Sequence, residues 1–186
     1  MSREEQKGTA RRIAFERRQI AHAQGLPGTA GRLSEVLAGY RGATISGYMP
    51  IRTEIDPRPA MAEAAAHGPV CVPVIRAAGQ PLVFSQWEPD CALVDGPFGA
   101  RIPAEERLLI PEVLIVPLVA YTRDGGRLGY GGGFYDRTLE KLRASRSVLA
   151  IGFAYSAQET ELLPLDPTDQ HMDMIVTEKD VIEISR

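Results

Sequence analysis

Short apolar segments alternate with longer, mostly polar stretches along the chain. Runs rich in β-branched and aliphatic residues predict strands at 43–48, 70–75, 113–119, 148–153, 174–177 and 181–184, and residues 81–87 predict a hairpin partner. Stretches at 3–24, 31–39, 58–67 and 134–145 predict helices. Because strands that alternate with helices build parallel sheets, the pattern predicts an α/β fold. We expect a three-layer α/β/α sandwich with a mostly parallel central sheet, formed by residues 1–186 as one domain.

Two prolines interrupt the apolar runs. Pro73 favours an edge strand or a bulge for residues 70–75, since proline donates no ladder hydrogen bond. Pro117 disturbs residues 113–119, which otherwise fit a strand buried on both faces. Both prolines therefore indicate that these strands are irregular.

A glycine-rich segment interrupts the pattern at 127–137 and reads Arg-Leu-Gly-Tyr-Gly-Gly-Gly-Phe-Tyr-Asp-Arg. Glycine permits backbone conformations that turn several N–H groups toward one point. A helix starting near Phe134 would add its free N–H groups and positive dipole end there. The segment is therefore either a flexible surface loop or a cradle for an anion such as phosphate. Its flanking charges and aromatic residues favour the cradle.

Composition narrows the classes of function. The 186 residues carry a net charge of −3. This argues against a general nucleic-acid binder, which usually has an excess of basic residues. No apolar run is long enough to span a membrane, and the first residues lack the apolar core of a secretion signal. Cys71 and Cys91 lack metal-ligand spacing and are predicted to be buried thiols. We therefore expect a cytoplasmic protein with small-molecule partners, no nucleic acid and no membrane.

Candidate ligand-binding side chains flank the predicted elements. Lys7 and Arg11 share a helix face, where they either hold an anion or belong to a solvated cationic helix with Arg3, Arg12, Arg17 and Arg18. After the first strand, Met49 could make an apolar contact. Glu54 could accept from a ligand's N–H groups, or it or Asp56 could cap the next helix.

Two acids are candidate metal ligands. Asp136 follows the last glycine by three residues and Asp173 precedes a late strand. Carboxylates combined with phosphate oxygens suit Mg²⁺, although Asp136 also fits as an ordinary acid in a first helical turn. Neither a dinucleotide fingerprint nor a P-loop is present, and no nucleophile elbow occurs. The residues alone therefore indicate phosphate binding with a possible magnesium ion.

The segment 127–137 resembles the signature of the 5-formyltetrahydrofolate cyclo-ligase family, also called 5,10-methenyltetrahydrofolate synthetases. Lys7 with Arg11, Met49 with Glu54, residues 152–158 and residues 169–178 agree in order and spacing. The resemblance implies an α/β/α layered fold and ATP- and Mg²⁺-dependent closure of 5-formyltetrahydrofolate to 5,10-methenyltetrahydrofolate. The implied route phosphorylates the formyl oxygen, after which N10 attacks and phosphate departs.

The resemblance also implies site residues, which we keep as expectations, together with a monomeric state. Catalysis would involve Tyr130 and Arg127. ATP would be bound by Lys7, Arg11, Arg127, Leu128, Gly129, Tyr130, Gly131, Gly132, Gly133, Phe134 and Tyr135. Folate would be bound by Met49, Glu54, Tyr130, Gly131, Gly132, Gly133 and Phe134. Asp136 and Asp173 would hold magnesium.

Two departures from the family pattern and two rival functions accompany this interpretation. Some members have lysine where this chain has Gly132, and many have His-Asp where it has Thr168-Asp169. The rival from another class is a non-catalytic sensor of nucleotide or folate. A sugar-phosphate isomerase or acyl-carrier transferase on a similar fold is the second rival, and only Glu54 is a weak candidate for the nucleophile of the transferase.

Overall fold

The computed structural model describes residues 1–185, and Arg186 lies outside the described part of the chain. The helices are α1 (Arg3–Ala23), α2 (Gly31–Leu37), α3 (Arg58–Ala65) and α4 (Phe134–Ser145). The strands are β1 (Ile45–Ser46), β2 (Val70–Val74), β3 (Val83–Gln86), β4 (Leu93–Asp95), β5 (Arg101–Pro103), β6 (Leu108–Leu109), β7 (Val113–Pro117), β8 (Ala120–Tyr121), β9 (Arg127–Leu128), β10 (Leu149–Phe153), β11 (Met174–Val176) and β12 (Val181–Glu183). Short 3₁₀ turns occur at Ala38–Tyr40, Pro97–Gly99 and Ser156–Gln158.

The central sheet has eight strands in the order β12-β11-β10-β7-β1-β2-β3-β6. Its middle strands β2, β1, β7, β10 and β11 run parallel to one another. The pairs β2–β3, β3–β6 and β11–β12 are antiparallel and lie toward the two edges. The prediction of a mostly parallel central sheet is therefore confirmed.

Helices cover both faces of this sheet. On one face α2 and α3 bury Leu33 and Ala60 in a cluster that includes Ile115 of β7. On the other face α4 buries Leu139 in a cluster with Leu114, the neighbour of Ile115 on β7. Because successive strand side chains point to opposite faces, β7 supplies both cores and is buried throughout its apolar part. The three-layer arrangement is confirmed.

Helix α1 contacts the core cluster of the α2–α3 face through Ala21, near its carboxyl end. Ser2 and Glu5 form a capping box at its start, which satisfies two backbone N–H groups. Its buried residue Ala14 packs with Val119 and Leu128, beside the hairpin formed by β8 and β9. The helix is thus fixed beside the segment that leads into the glycine-rich loop. None of the helices within residues 1–185 is long and apolar enough to cross a membrane.

The expectation that Pro73 marks an edge strand or a bulge is wrong. Strand β2 lies between β1 and β3, and Pro73 pairs with Phe84 of β3 in unbroken register. The reason is that β1 is only two residues long and pairs with Val70 and Cys71 alone. Beyond Cys71 the β1 side of β2 is open, so the missing N–H of Pro73 breaks no ladder bond.

The sequence reading also missed a small hairpin, in which Leu93 of β4 pairs with Pro103 of β5. Both cysteines are free thiols, but only Cys71 is fully buried, and Cys91 is half-buried. Burial raises the pKa of the Cys71 thiol to about 12. Cys71 is therefore a neutral packing residue at physiological pH.

Candidate active site

A cavity of about 370 Å³ opens at the carboxyl ends of the parallel strands, and we call it the site cavity. Its walls include Tyr48 after β1, Pro73 in β2 and Pro117 at the end of β7. The chain passes from β1 to β2 on one side, while β7 lies on the other side of β1. In open α/β sheets ligands bind at such a reversal of strand order, outside the carboxyl ends. The early end of β1 at Ser46 leaves room for this crevice.

Nearly all predicted site residues meet here. The lining includes Lys7, Arg11, Met49, Glu54, Arg127, Leu128, Gly129, Tyr130, Gly131, Gly132, Gly133, Phe134, Tyr135 and Asp136. These residues come from α1, the loop after β1 and the segment 127–136, which are far apart in sequence. Asp173 is the one predicted ligand that does not line the cavity.

The glycine-rich segment forms a turn that ends in α4. Gly131 and Gly133 have φ values of 103° and 67°, which side chains larger than hydrogen rarely adopt. Helix α4 starts at Phe134, as predicted, with Gly133 as an N-cap that supplies no side-chain oxygen. Its first free N–H groups and its positive dipole end therefore remain for another acceptor.

Two cations of α1 reach this segment. Arg11 donates from Nε to the carbonyl oxygen of Gly129 at 2.9 Å. The Nζ of Lys7 lies 2.7 Å from Asp166 Oδ2 and 2.9 Å from Asp169 Oδ2. Burial alone would lower the pKa of Lys7, but its hydrogen bonds to the two carboxylates raise the pKa above its ordinary value. Both side chains therefore face the site cavity as cations.

A third cation, Arg127, lies at the start of the glycine-rich segment. Its side chain is 6% exposed, and Nη2 donates to Asp136 Oδ1 at 2.5 Å. Burial lowers the pKa of Arg127, and the charges of Asp136 and Asp169 oppose that effect. Its Nε is buried and has no hydrogen-bond partner within residues 1–185. We call Lys7, Arg11 and Arg127, with Asp136, Asp166 and Asp169, the cationic end of the cavity.

A series of hydrogen bonds links Asp136 to Asp173. Asp136 Oδ1 also accepts from the backbone N–H of Gln170 at 2.8 Å, and the side chain of Gln170 accepts from Arg143 at 3.0 Å. Arg143 then donates to Asp173 Oδ2 at 3.1 Å, and the same oxygen accepts from the N–H of Ala150. Asp173 thus ties α4 to the start of β10, behind the cavity wall.

Glu54 forms the opposite end of the cavity. Its side chain is buried, with only 5% of the residue exposed. Oε2 accepts from the N–H of Ile51 at 2.9 Å and Oε1 accepts from the Tyr130 hydroxyl at 3.1 Å. Asp56, not Glu54, accepts from the first N–H of α3, that of Arg58. Glu54 is therefore not the helix cap, which was the alternative reading of this acid.

Burial dominates the electrostatics of Glu54 and raises its pKa above the ordinary value. The Ile51 N–H, the Arg18 charge, the Tyr130 hydroxyl and the Arg52 charge each pull the pKa of Glu54 back down. Tyr48 and Met49 line the cavity beside it. We call Glu54 with Tyr48, Met49, Ile51 and Tyr130 the Glu54 end. An ionised carboxylate between apolar walls is suited to accept hydrogen bonds from N–H donors of a flat ligand.

The structure adds a wall that sequence patterns did not indicate. Pro97 and Ala100 from the turn between β4 and β5 line the cavity, together with Ile102 of β5. The exposed ring of Phe98 lies 6.0 Å from the ring of Phe134. Phe98 has a φ of 62°, a conformation unfavourable for a large residue, and such strain often occurs at ligand sites.

The sequence reading also missed Arg18. The sequence pattern predicts Arg18 as one of the solvated cations of α1, but only 1% of it is exposed, so that prediction is wrong for this residue. The physical reason is its spacing: Arg18 follows Arg11 by seven residues and Lys7 by eleven, so all three share the inner face of α1. That spacing is a signal which the sequence already contained.

Comparisons with known proteins show the family of the chain. Residues 3–178 match the sequence model of the 5-formyltetrahydrofolate cyclo-ligase family. A 5-formyltetrahydrofolate cyclo-ligase of Mycolicibacterium smegmatis is 35% identical over 169 residues, which cover 82% of this chain and 83% of that protein. The enzyme of the same name from Haemophilus influenzae is 38% identical over 93 residues, about half of each chain.

A solved structure is also similar over nearly the whole chain. The NMR structure of Aquifex aeolicus 5,10-methenyltetrahydrofolate synthetase superposes with a TM-score of 0.74 at 28% identity. The match covers 97% of this chain and 93% of that chain. The layered fold is therefore shared across the full length of the sheet and its helices.

Proposed function

The chain belongs to the 5-formyltetrahydrofolate cyclo-ligase family, and from that premise we propose that it closes 5-formyltetrahydrofolate to 5,10-methenyltetrahydrofolate, using ATP and Mg²⁺ and releasing ADP and phosphate. The proposed use of ATP is supported by one observation: the two ends of the site cavity differ chemically. The cationic end suits a polyphosphate and the Glu54 end suits a pterin. We further propose that the chain acts as a cytoplasmic monomer, which light scattering and cell fractionation would test.

The cationic end supports phosphate binding. Lys7, Arg11 and Arg127 line the same cavity as the start of α4, whose first N–H groups have no side-chain cap. The buried Nε of Arg127 lacks a partner within the described residues, and a phosphate oxygen would satisfy it. We propose that residues 127–135 wrap the nucleotide, with Lys7 and Arg11 on its phosphates.

The Glu54 end supports folate binding. The Glu54 carboxylate would accept from the N–H donors of the pterin, and Met49 would contact the ring. Gly131, Gly132, Gly133 and Phe134 would border the same substrate. Tyr130 contacts Glu54 and also belongs to the glycine-rich segment, so it lies where the two substrates would meet.

The proposed reaction has two steps. The γ-phosphoryl group passes to the formyl oxygen and ADP leaves, giving an iminium phosphate. N10 then bonds to the formyl carbon and loses its proton, and phosphate departs with the former formyl oxygen. Arg127, a buried cation that lines the cavity, and Tyr130 are the proposed catalytic residues. The apolar walls at Pro73, Pro117 and Ile102 would exclude water, which otherwise intercepts the activated carbon.

Asp136 and Asp173 are the residues proposed to hold Mg²⁺. When bound, the ion would offset negative charge on the phosphates. Asp136 fits this role because its carboxylate lies on the cavity wall, next to the cationic side chains. Asp173 fits less directly, since Arg143 and Gln170 stand between it and Asp136.

A turnover assay tests the proposal. Purified protein with ATP, Mg²⁺ and 5-formyltetrahydrofolate should form the methenyl product, followed by its absorbance, with one ADP released per product. Omitting ATP or Mg²⁺ should stop product formation. Binding of either ligand without ATP consumption would favour the rival function of a non-catalytic sensor and refute the ligase.

Replacing each of the two acids by its amide tests the proposed magnesium site. We expect Asp136→Asn to raise the Mg²⁺ concentration for half-maximal rate by about tenfold, the weight of one charged ligand. If Asp173 is also a ligand, Asp173→Asn raises it comparably. An unchanged Mg²⁺ requirement in Asp173→Asn with normal folding would remove Asp173 from the proposed metal site, and the same result for Asp136→Asn would remove Asp136.

A further inference from the structure

We propose that Arg18 is a positioning residue for the substrate: through the Tyr130 hydroxyl it keeps the Glu54 carboxylate an ionised acceptor on the cavity wall. The inference rests on the proposed function, in which Glu54 accepts from the pterin. Arg18 does not line the site cavity and therefore acts through its neighbours.

The contacts of Arg18 are those of a fixed, buried cation. Its Nε donates to Thr53 Oγ1 at 2.9 Å and its Nη1 donates to the Tyr130 hydroxyl at 2.8 Å. The guanidinium lies 5.1 Å from the centre of the Phe15 ring and 5.6 Å from that of Tyr130. No carboxylate within residues 1–185 forms a salt bridge with it. A buried arginine without a direct ion pair is costly, so its charge must be stabilised by the groups around it.

Arg18 fixes the direction of the hydrogen bonds. A guanidinium can only donate, so the Tyr130 oxygen must accept from it. The single hydroxyl proton of Tyr130 is then directed to Glu54 Oε1, 3.1 Å away. The other carboxylate oxygen is occupied by the N–H of Ile51. Because both bonds are donated to Glu54, this arrangement favours its ionised form over its protonated form.

The groups that face Glu54 come from four elements. Helix α1 contributes Arg18, the loop after β1 contributes Tyr48 and Arg52, the glycine-rich loop contributes Tyr130, and α4 contributes Tyr135. Only the two arginines are cations. Arg52 is exposed and its guanidinium also lies over the Tyr130 ring, at 5.5 Å. Solvent screens Arg52, so the buried Arg18 has the larger effect.

The ionised form of Glu54 is the one that binding needs. A carboxylate accepts hydrogen bonds at both oxygens, whereas a protonated acid presents a donor of its own. If Glu54 were protonated, one of its oxygens would no longer accept a hydrogen bond from the N–H groups of the pterin. Arg18 therefore sets the pH below which Glu54 becomes protonated and no longer accepts both hydrogen bonds from the substrate.

The test compares Arg18→Met with Arg17→Met. Methionine keeps most of the buried volume and removes the charge, while Arg17 is an exposed neighbour whose guanidinium donates to the carbonyl of Glu159. Carbon-13 NMR of the Glu54 carboxyl in the ligand-free protein should show titration at higher pH in Arg18→Met than in wild type or Arg17→Met. The dissociation constant of 5-formyltetrahydrofolate at pH 7 should rise roughly tenfold, the weight of one charged hydrogen bond, while the KM for ATP stays within about twofold.

A second variant keeps the test decisive if Arg18→Met does not fold. Tyr130→Phe removes only the hydroxyl, and we expect it to move the Glu54 titration in the same direction. An unchanged titration in either folded variant overturns the inference. Equal losses of folate and ATP affinity also overturn it, because they indicate a merely structural role of α1. If Glu54→Gln keeps full folate affinity, the proposed role of Glu54 fails instead, and the NMR titration still decides the effect of Arg18.

Discussion

The two ends of the site cavity handle charge in opposite ways. At the cationic end the positive groups already have carboxylate partners: Lys7 pairs with Asp166 and Asp169, and Arg127 pairs with Asp136. At the Glu54 end a single buried carboxylate has, within residues 1–185, only an N–H and a hydroxyl as direct hydrogen-bond partners. An anion that binds at the cationic end must therefore replace carboxylates as partners of the cations. A hydrogen-bond donor that binds at the Glu54 end meets a carboxylate that is already held in place.

This difference explains why the two ends should respond differently to mutation. A set of paired charges can redistribute when one member is lost, because other partners remain nearby. A lone buried acceptor cannot be replaced, since no second carboxylate lies at the Glu54 end of the cavity within residues 1–185. We therefore expect the largest effects on binding at Glu54 and smaller effects at the cationic end.

The largest effect is predicted for Glu54→Gln. The amide loses the charge and presents donors where the carboxylate presented acceptors, so kcat/KM for 5-formyltetrahydrofolate should fall about a hundredfold, the loss of two hydrogen bonds to a charged group. The KM for ATP should stay within about twofold. Steady-state kinetics with each substrate varied separately would measure both constants.

The matched control is Glu161→Gln, the same chemical change at an exposed position outside the cavity. It should leave both constants unchanged. A comparable loss for both substrates in Glu54→Gln would contradict the division of the cavity into two ends.

A smaller effect is predicted for Lys7→Met. The change removes one cation and also deprives Asp169 of its lysine partner beside the phosphates, whereas Asp166 keeps its ion pair with Arg3. We expect kcat/KM for ATP to fall roughly tenfold, with the KM for folate little changed. Adding Asp169→Asn to Lys7→Met should restore part of the loss, because it removes one of the repelling charges.

Lys141→Met, on the exposed side of α4, is the control for a lost surface charge and should behave as wild type. If the double variant is weaker than Lys7→Met alone, Asp169 contributes to ligand binding in its own right. That result would contradict the view that Asp169 serves mainly as the partner of Lys7.

Local signals in the sequence were sufficient for much of this picture. Glycines followed by Phe134 predicted a loop that ends in a helix, and the spacing of Lys7 and Arg11 predicted a shared face, because both depend on short-range geometry. The meeting of α1, the Glu54 loop and the glycine-rich segment depends on strand order, which the residue pattern did not contain. The family resemblance supplied that juxtaposition.

The features that the sequence did not reveal depend on burial and long-range packing. Charge alone makes Arg18 look like a solvent-exposed residue, and only its packing against Tyr130 shows otherwise. Pro73 looked like an edge residue because the length of its neighbour β1 could not be read from composition. The cavity wall formed by Pro97, Ala100 and Ile102 belongs to a hairpin that no periodic pattern predicted.

The smallest predicted effect concerns stability and follows from the raised pKa of Glu54. An acid whose pKa is higher in the folded protein than its ordinary value of 4.5 holds its proton more tightly when folded. Below pH 4.5 Glu54 is protonated in both the folded and the unfolded chain, so its ionisation does not change the free energy of unfolding. As the pH rises above 4.5 the unfolded chain ionises first, so the folded state loses stability, and the full loss is reached above the native pKa.

Replacing Glu54 by Gln removes this pH-dependent cost. We expect Glu54→Gln to melt a few degrees higher than wild type at pH 8, and the difference to shrink toward zero near pH 4. Thermal melts from pH 4 to pH 8, with Glu161→Gln as control, would measure it. A lower melting temperature of Glu54→Gln at pH 8 would mean that the bonds donated by Ile51 and Tyr130 outweigh burial. The same substitution is thus expected to weaken substrate binding while strengthening the fold, because the carboxylate proposed to accept the ligand is a charge that destabilises the folded protein.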